Sequence, residues 1–105
     1  MKTNYRGHDQ AYQSRKANGF PGWSENTAEY ESTLIRIKGV IQEHGIPTTG
    51  KLLELGCGAG NTTLDLAELG YQISGIDISP TAIEWAQELA REREIDANFR
   101  VGDVV

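Results

Sequence analysis

The sequence has 105 residues, of which 38% are hydrophobic, and this limits it to one small folded domain with a modest core. Its net charge is −5, although residues 1–19 carry four basic side chains against one acidic side chain, so the rest is strongly acidic. Such a balance argues against broad nucleic-acid binding, which needs basic groups to neutralise phosphates. The single cysteine excludes an intramolecular disulfide, and with no signal-like or membrane-spanning apolar stretch we expect a cytoplasmic protein.

Residues 1–26 form a predicted N-terminal arm that is rich in Gly, Asn, Gln and Ser. Glycine and proline within residues 18–23 predict turns there. Four aromatic side chains are spaced along the arm, namely Tyr5, Tyr12, Phe20 and Trp23. One interpretation is a loosely docked arm whose rings fill a groove on the domain. The other is a lid over a binding pocket, in which Tyr12 and Trp23 are the first residues to test.

A helix is predicted to begin after Asn26, a good N-cap residue followed three positions later by Glu29. Apolar side chains then recur at helical spacing at Tyr30, Leu34, Ile37 and Ile41, with Ile35 and Val40 widening the stripe. Gly45 and Pro47 predict the end of this helix. We expect it to pack on one face of a sheet.

Residues 51–77 contain the most informative pattern in the chain. A predicted strand, Lys51–Leu55, is apolar at three of its five positions, as a strand buried on both faces would be. Glycines follow at positions 56, 58 and 60, then a short helical pattern, then a second predicted strand, Gln72–Asp77. Alternate glycines permit positive φ and leave no Cβ between the loop and a ligand. This order of elements is how α/β proteins hold a nucleoside-containing ligand.

The last part of the chain predicts one more helix and one more strand. Ser79 and Pro80 are typical of a helix start, and Ala82 or Ile83, Ala86, Leu89 and Ala90 form its apolar stripe. The third strand is predicted at Asn98–Val101. Because crossovers between parallel strands are right-handed, we expect the strand order 3-2-1 in a Rossmann-like, three-layer αβα fold preceded by the helical arm.

The glycine spacing distinguishes two kinds of nucleotide binder. A dinucleotide-binding loop reads G-x-G-x-x-G, whereas here Asn61 follows the third of three alternate glycines. With Glu54 before the loop and Asp77 at the end of the second strand, residues 51–103 resemble the first half of a class I S-adenosylmethionine-dependent methyltransferase. The resemblance implies S-adenosylmethionine as cofactor and a chain that holds half of a seven-stranded sheet.

The resemblance also implies a role for each site residue. Glu54, Gly56, Cys57, Gly58 and Gly60 would line the methionine part of the cofactor. Asp77 would hold the ribose hydroxyls, Ile78 would pack against adenine, and Gly102 and Asp103 would reach the adenine amino group. Methyl transfer needs no protein nucleophile, so Cys57 is interpreted as a small loop residue. Glu54 and Asp77 are interpreted as hydrogen-bond acceptors rather than as an acid–base pair.

Residues 27–105 are accordingly predicted to be the cofactor-binding domain of a longer protein, truncated after the third strand. The resemblance implies that catalytic residues lie in the remaining half, so none is assigned here. The first strand would then be an open sheet edge, and we expect another chain, the arm or strand exchange in a homodimer to cover it.

Three functional classes remain open from the sequence. The leading hypothesis is the cofactor-binding part of a methyltransferase that acts on a small molecule or a protein. Its alternatives are half of a nicotinamide- or flavin-dependent oxidoreductase and a non-catalytic cofactor-binding scaffold. One cysteine and two distant histidines, His8 and His44, do not form a metal-ligand pattern, and His44 is interpreted as a helix-end residue.

Overall fold

The computed structural model describes residues 5–103, so the first four residues of the predicted arm lie outside it. Two helices come first, and three strands then alternate with two more helices. In chain order they are α1 (Tyr5–Ala17), α2 (Thr27–His44), β1 (Lys51–Leu55), α3 (Asn61–Glu68), β2 (Gln72–Asp77), α4 (Pro80–Glu92) and β3 (Asn98–Val101). The predicted strands agree with β1, β2 and β3 in their bounds.

The three strands form one parallel sheet with β2 in the middle. Lys51 of β1 is aligned with Gln72 of β2, and Ser74 of β2 is aligned with Asn98 of β3. The Rossmann-like fold and the order 3-2-1 are therefore confirmed. The carboxyl ends of all three strands meet at one edge of the sheet, which is where ligands bind in open α/β folds.

Helices cover only one face of this sheet within residues 5–103. Ile73 and Phe99 point to the helical side and are buried, whereas Leu53 and Leu55 of β1 point to the other side and are 57% and 58% exposed. Two right-handed crossovers in the same direction place α3 and α4 on the same face. The described residues thus supply two of the three expected layers. The expectation that β1 is buried on both faces is wrong, because its burial alternates along the strand.

The main core lies between the sheet and helices α3 and α4. Leu64 is fully buried and packs in one cluster with Ile83, Ala86 and Phe99. Burial of a side chain such as Leu64 contributes roughly 1.5–3 kcal/mol to folding. Gly75 in β2 permits this close packing, since a Cβ there would lie 2.8 Å from the Cys57 sulfur.

Helix α2 is capped as the sequence predicts. The Asn26 side chain accepts a hydrogen bond from the Ala28 amide, and Gly45 ends the helix in the left-handed conformation with φ of 64°. The helix packs against α3 rather than directly on the sheet. Ile35 and Val40 are 70% and 53% exposed, so the apolar stripe is narrower than predicted. No helix among the described residues is long and apolar enough to cross a membrane.

Candidate functional site

The loop between β1 and α3 adopts a conformation that depends on its glycines. Gly56, Gly58 and Gly60 have φ values of 69°, 57° and 80°, in the left-handed region that side chains disfavour. The amides of Gly56 and Cys57 both donate to the Ile76 carbonyl, at 2.8 and 3.0 Å. These bonds hold the loop against the carboxyl end of β2.

Each of the three glycines has different surroundings. A Cβ at Gly56 would meet nothing within 4 Å, so the main chain is open there. A Cβ at Gly58 would lie 2.6 Å from the Tyr12 hydroxyl, and one at Gly60 would lie 2.8 Å from the Phe99 ring. Gly58 is thus covered by the arm, Gly60 is required by core packing, and only Gly56 exposes bare backbone to a ligand.

Asp77 connects this loop to the loop after β2. Its carboxylate is buried, and Oδ2 accepts a hydrogen bond from the Gly58 amide at 2.9 Å. Oδ1 accepts another from the Ser79 amide, also at 2.9 Å. A carboxylate offers about four lone-pair positions, so two remain for further donors. Asp77 therefore orders both loops and retains the capacity to accept hydrogen bonds from a ligand.

Glu54 contributes a second carboxylate to the same edge of the sheet. The side chain is half-buried and its Oε1 accepts a hydrogen bond from the Thr63 hydroxyl at 3.0 Å. Burial raises the pKa of Glu54, and the Thr63 hydrogen bond partly opposes this rise. A positively charged group in the adjoining space would stabilise the ionised carboxylate.

A pocket of about 380 Å³ opens beside these groups, within the size range of small-ligand sites. It is lined by His8, Tyr12, Trp23, Tyr30, Glu54, Gly56, Cys57, Gly58, Ala59, Asn61 and Thr62. The predicted methionine-side residues therefore come together, apart from Gly60, and the two predicted lid residues join them. An open cradle at Gly56 beside a carboxylate fits a ligand that carries positive charge.

The residues predicted for the adenosine side lie outside the lining of this pocket. Asp77 and Ile78 are at the end of β2, and the Gly102 amide after β3 donates to the Asp77 carbonyl at 2.9 Å. Ile78 is half-buried and Asp103 is exposed. The structure thus places these four residues at the same sheet edge, next to the pocket rather than in it.

Cys57 is buried in the core and its environment disfavours a thiolate. Burial, with the negative charges of Asp77 and Glu54, raises the pKa of the thiol to about 12. The thiolate is the nucleophilic form, so this cysteine is poorly suited to covalent catalysis. Its interpretation as a small loop residue is consistent with this environment.

The arm contributes more to the site than the sequence indicated. Arg15 lies 3.7 Å above the Trp23 ring, which packs against Tyr12 at 5.0 Å between centroids. The Asn61 side chain donates to the Pro21 carbonyl at 2.9 Å and thereby fixes the turn to the start of α3. No sequence pattern predicted that Tyr30, Asn61 or Thr62 would belong to the site. The position of Asn61 directly after the glycine loop was the available signal.

Comparison with known proteins agrees with this architecture. A family model described as a methyltransferase domain matches residues 52–105, just over half of the chain. A 2-heptyl-1-hydroxyquinolin-4(1H)-one methyltransferase of Mycobacteroides abscessus is 34% identical over 85 residues, which cover 80% of this chain and 34% of that protein. A ribosomal RNA small subunit methyltransferase C of Alcanivorax borkumensis is 26% identical over 90 residues, covering 86% of this chain and 27% of that protein.

Solved structures show the same likeness. A Pyrococcus horikoshii protein shares 35% identity with a TM-score of 0.64, over 74% of this chain and 36% of that one. A magnesium protoporphyrin IX methyltransferase from Synechocystis, crystallised with S-adenosylhomocysteine, shares 26% identity with a TM-score of 0.61, over 70% of this chain and 35% of that one. The chain spans only 19% to 34% of the length of the first curated relatives. With the family match, the parallel sheet and the glycine loop together, the chain belongs to the class I S-adenosylmethionine-dependent methyltransferase family.

Proposed function

We propose that this chain is the cofactor-binding part of a methyltransferase that transfers a methyl group from S-adenosylmethionine to a small-molecule acceptor. The observation that carries the proposal is the open backbone of Gly56 beside the Glu54 carboxylate, at the carboxyl edge of a parallel sheet. Two structures of the Synechocystis relative, one with S-adenosylhomocysteine and one with S-adenosylmethionine, support it.

Different residues of the chain would hold different parts of the cofactor. Glu54 and the backbone at Gly56 would hold the amino-acid end, where the sulfonium and amino groups carry positive charge. Asp77 would accept hydrogen bonds from the ribose hydroxyls, and Ile78 would pack on adenine. Gly102 and Asp103 would reach the adenine amino group. The bound cofactor supplies the activated methyl group, and the chain orients it in a site sheltered from water.

The arm and the open strand edge extend this proposal. Residues 1–26 would act as a lid on residues 27–105. Tyr12 and Trp23, which line the pocket, would be the lid residues that cover the bound cofactor. The edge of β1 that is unpaired among the described residues would pair with further polypeptide, either in a homodimer or by strand exchange. A reducing, cytoplasmic location is supported by the lone, buried Cys57.

The class of acceptor is part of the proposal. Relatives include a magnesium-protoporphyrin O-methyltransferase and a ubiquinone biosynthesis O-methyltransferase, but also an EEF1A lysine methyltransferase and the ribosomal RNA enzyme. The acidic balance of this chain favours a small-molecule or protein acceptor over nucleic acid. Nothing in the comparisons favours the oxidoreductase alternative.

Calorimetric titration with S-adenosylmethionine, S-adenosylhomocysteine and NAD tests the proposed cofactor. We expect binding of both adenosyl compounds and none of NAD. Binding of NAD alone would support the oxidoreductase alternative. A folded protein that binds none of the three would contradict the proposal and favour a scaffold role.

A pair of variants tests the role of Asp77. Asp77→Ala should cost roughly 1–3 kcal/mol of S-adenosylhomocysteine affinity if the carboxylate holds the ribose. Because Asp77 also binds the Gly58 and Ser79 amides, Asp77→Asn is the necessary comparison, as it retains one acceptor oxygen. An affinity unchanged in both variants would remove the assignment.

A further inference from the structure

The N-terminal arm is attached to the loop after β2 through the carboxylate of Asp9. Its Oδ1 accepts hydrogen bonds from the Ser79 hydroxyl at 2.7 Å and the Thr81 amide at 2.8 Å. Its Oδ2 accepts one from the Gln13 side chain at 2.9 Å. The charge lies at the start of α4, where free amides favour an anion. Partial burial on its own would raise the pKa of Asp9. The hydrogen bonds from Thr81 and Ser79 stabilise the ionised carboxylate more strongly, so the pKa of Asp9 is lowered.

Ser79 transmits this contact to the predicted ribose-binding carboxylate. The residue is fully buried, and its amide donates to Asp77 while its hydroxyl accepts from the Ala82 amide at 3.0 Å. Asp77 in turn accepts from the Gly58 amide. A continuous series of hydrogen bonds therefore runs from Asp9 in the arm, through Ser79 and Asp77, to Gly58 in the glycine loop.

The same face of α1 also contacts Gly58, the last residue of this series of hydrogen bonds. Tyr12 lies three residues after Asp9, on the same side of the helix. Its ring is buried in a cluster with Ala59 and Trp85, and its hydroxyl covers Gly58. Helix α1 thus contacts both loops that flank the site, one through a charge and the other through an aromatic ring.

We propose that Asp9 is a positioning residue for cofactor binding. By holding α1 on Ser79 it fixes the loop that carries Asp77 and Ile78, and it keeps Tyr12 over Gly58. Binding of an adenosyl compound then depends on the docked arm, although Asp9 touches no ligand itself. The inference rests on the proposed function, because the adenosyl compound is the ligand that this loop would hold.

Titration of Asp9→Ala and Asp9→Asn against S-adenosylhomocysteine and methylthioadenosine tests the proposal. Methylthioadenosine carries the adenosine without the amino-acid end. We expect Asp9→Ala to weaken binding of both compounds by roughly tenfold or more, since the charged acceptor of the hydrogen bonds from Ser79 and Thr81 is lost. Asp9→Asn keeps one acceptor oxygen and should recover most of the affinity. Gln10→Ala, an exposed neighbour on α1, is the matched control and should stay within about twofold.

Hydrogen exchange of the α1 amides separates positioning from a general loss of stability. In Asp9→Ala, exchange should increase in α1 and in residues 78–82, while the core strands β2 and β3 remain protected. Unchanged affinity, or α1 protection equal to that of the wild type, would overturn the role of Asp9. Failure of the wild-type protein to bind either compound would instead overturn the proposed function, so the two failures are distinguishable.

Discussion

Single residues at this site serve purposes that their type alone does not reveal. Alternate glycines predicted bare main chain from position 56 to position 60, and all three do have positive φ. Yet Tyr12 covers Gly58 and Phe99 fills the space beside Gly60. The neighbours come from elements distant in sequence, so the spacing of the glycines could indicate their conformation but not what each of them faces.

The contact between Gly58 and Tyr12 predicts a measurable coupling. Gly58→Ala should destabilise the fold by about 1–2 kcal/mol through its left-handed backbone, and further through the hydroxyl 2.6 Å from the new Cβ. Tyr12→Phe removes that oxygen and leaves ring carbon Cζ at 3.4 Å as the nearest atom. Urea unfolding of the two single variants and the double variant should therefore show a coupling energy of about 1 kcal/mol.

Gly56→Ala is the matched control for that cycle. Its backbone is similarly left-handed, with φ of 69°, but nothing lies within 4 Å of the added Cβ. Tyr12→Phe should consequently not rescue Gly56→Ala. Strictly additive free energies for the Gly58 pair would contradict the docked position of Tyr12.

The environment of Cys57 predicts a poorly reactive thiol. Because its pKa is raised from an ordinary 9.0 to about 12, the folded protein holds roughly a thousandfold less thiolate at pH 8 than the unfolded chain, and it should react much more slowly with a disulfide reagent. The folded state also keeps the thiol proton that the unfolded state loses, so stability should fall as the pH rises from 9 toward 12. Rapid labelling of the native protein would contradict this environment.

At the scale of elements, α4 shows how the arm changes the surroundings of a helix. Ile83, Ala86 and Ala90 face the sheet as the apolar stripe predicts. Trp85 was not predicted to lie on either face of the helix. It is buried in a cluster with Tyr12, on a side of α4 different from the one that faces the sheet. A helix on the surface of the predicted fold would have left that ring in solvent. The packing of α1 on α4 is what buries it.

The two side-chain N-caps predict different losses of stability. Asn26→Ala removes one exposed hydrogen bond, to the Ala28 amide, and should cost about 1 kcal/mol. Ser79→Ala removes a fully buried hydroxyl that also donates to Asp9, so it should cost about 2 kcal/mol or more. Denaturant unfolding of both variants checks the order. Equal losses would show that the Ser79–Asp9 contact adds little.

At the scale of the whole molecule, residues 5–103 leave one face of the sheet and the outer edges of β1 and β3 open. Leu53 and Leu55 form an exposed apolar pair on β1, and β1 pairs only with β2 among the described residues. Apolar surface beside an unpaired strand edge promotes association. The described residues therefore combine a side covered by helices with an exposed apolar side, where we expect association.

Substitution of Leu53 tests this asymmetry. Leu53→Lys should reduce concentration-dependent association, measured by sedimentation velocity, and change the unfolding free energy by less than about 0.5 kcal/mol, because the side chain is already exposed. Ile35→Lys introduces the same charge at an exposed position on α2 and should leave association unchanged. A monomer at all concentrations in the wild type would contradict the prediction.

The sequence by itself determined the strands, the order 3-2-1, the helix caps and the glycine loop that identifies the family. These follow from local spacing and from the handedness of parallel crossovers, which a single chain segment encodes. Tertiary structure alone decided that Tyr12 covers Gly58, that Asp9 binds Ser79, and that Leu53 and Leu55 stay exposed. Each of these depends on where an element distant in sequence packs. Residues as far apart as Asp9 and Ser79, 70 positions, form a contact that no local periodicity in the sequence indicates.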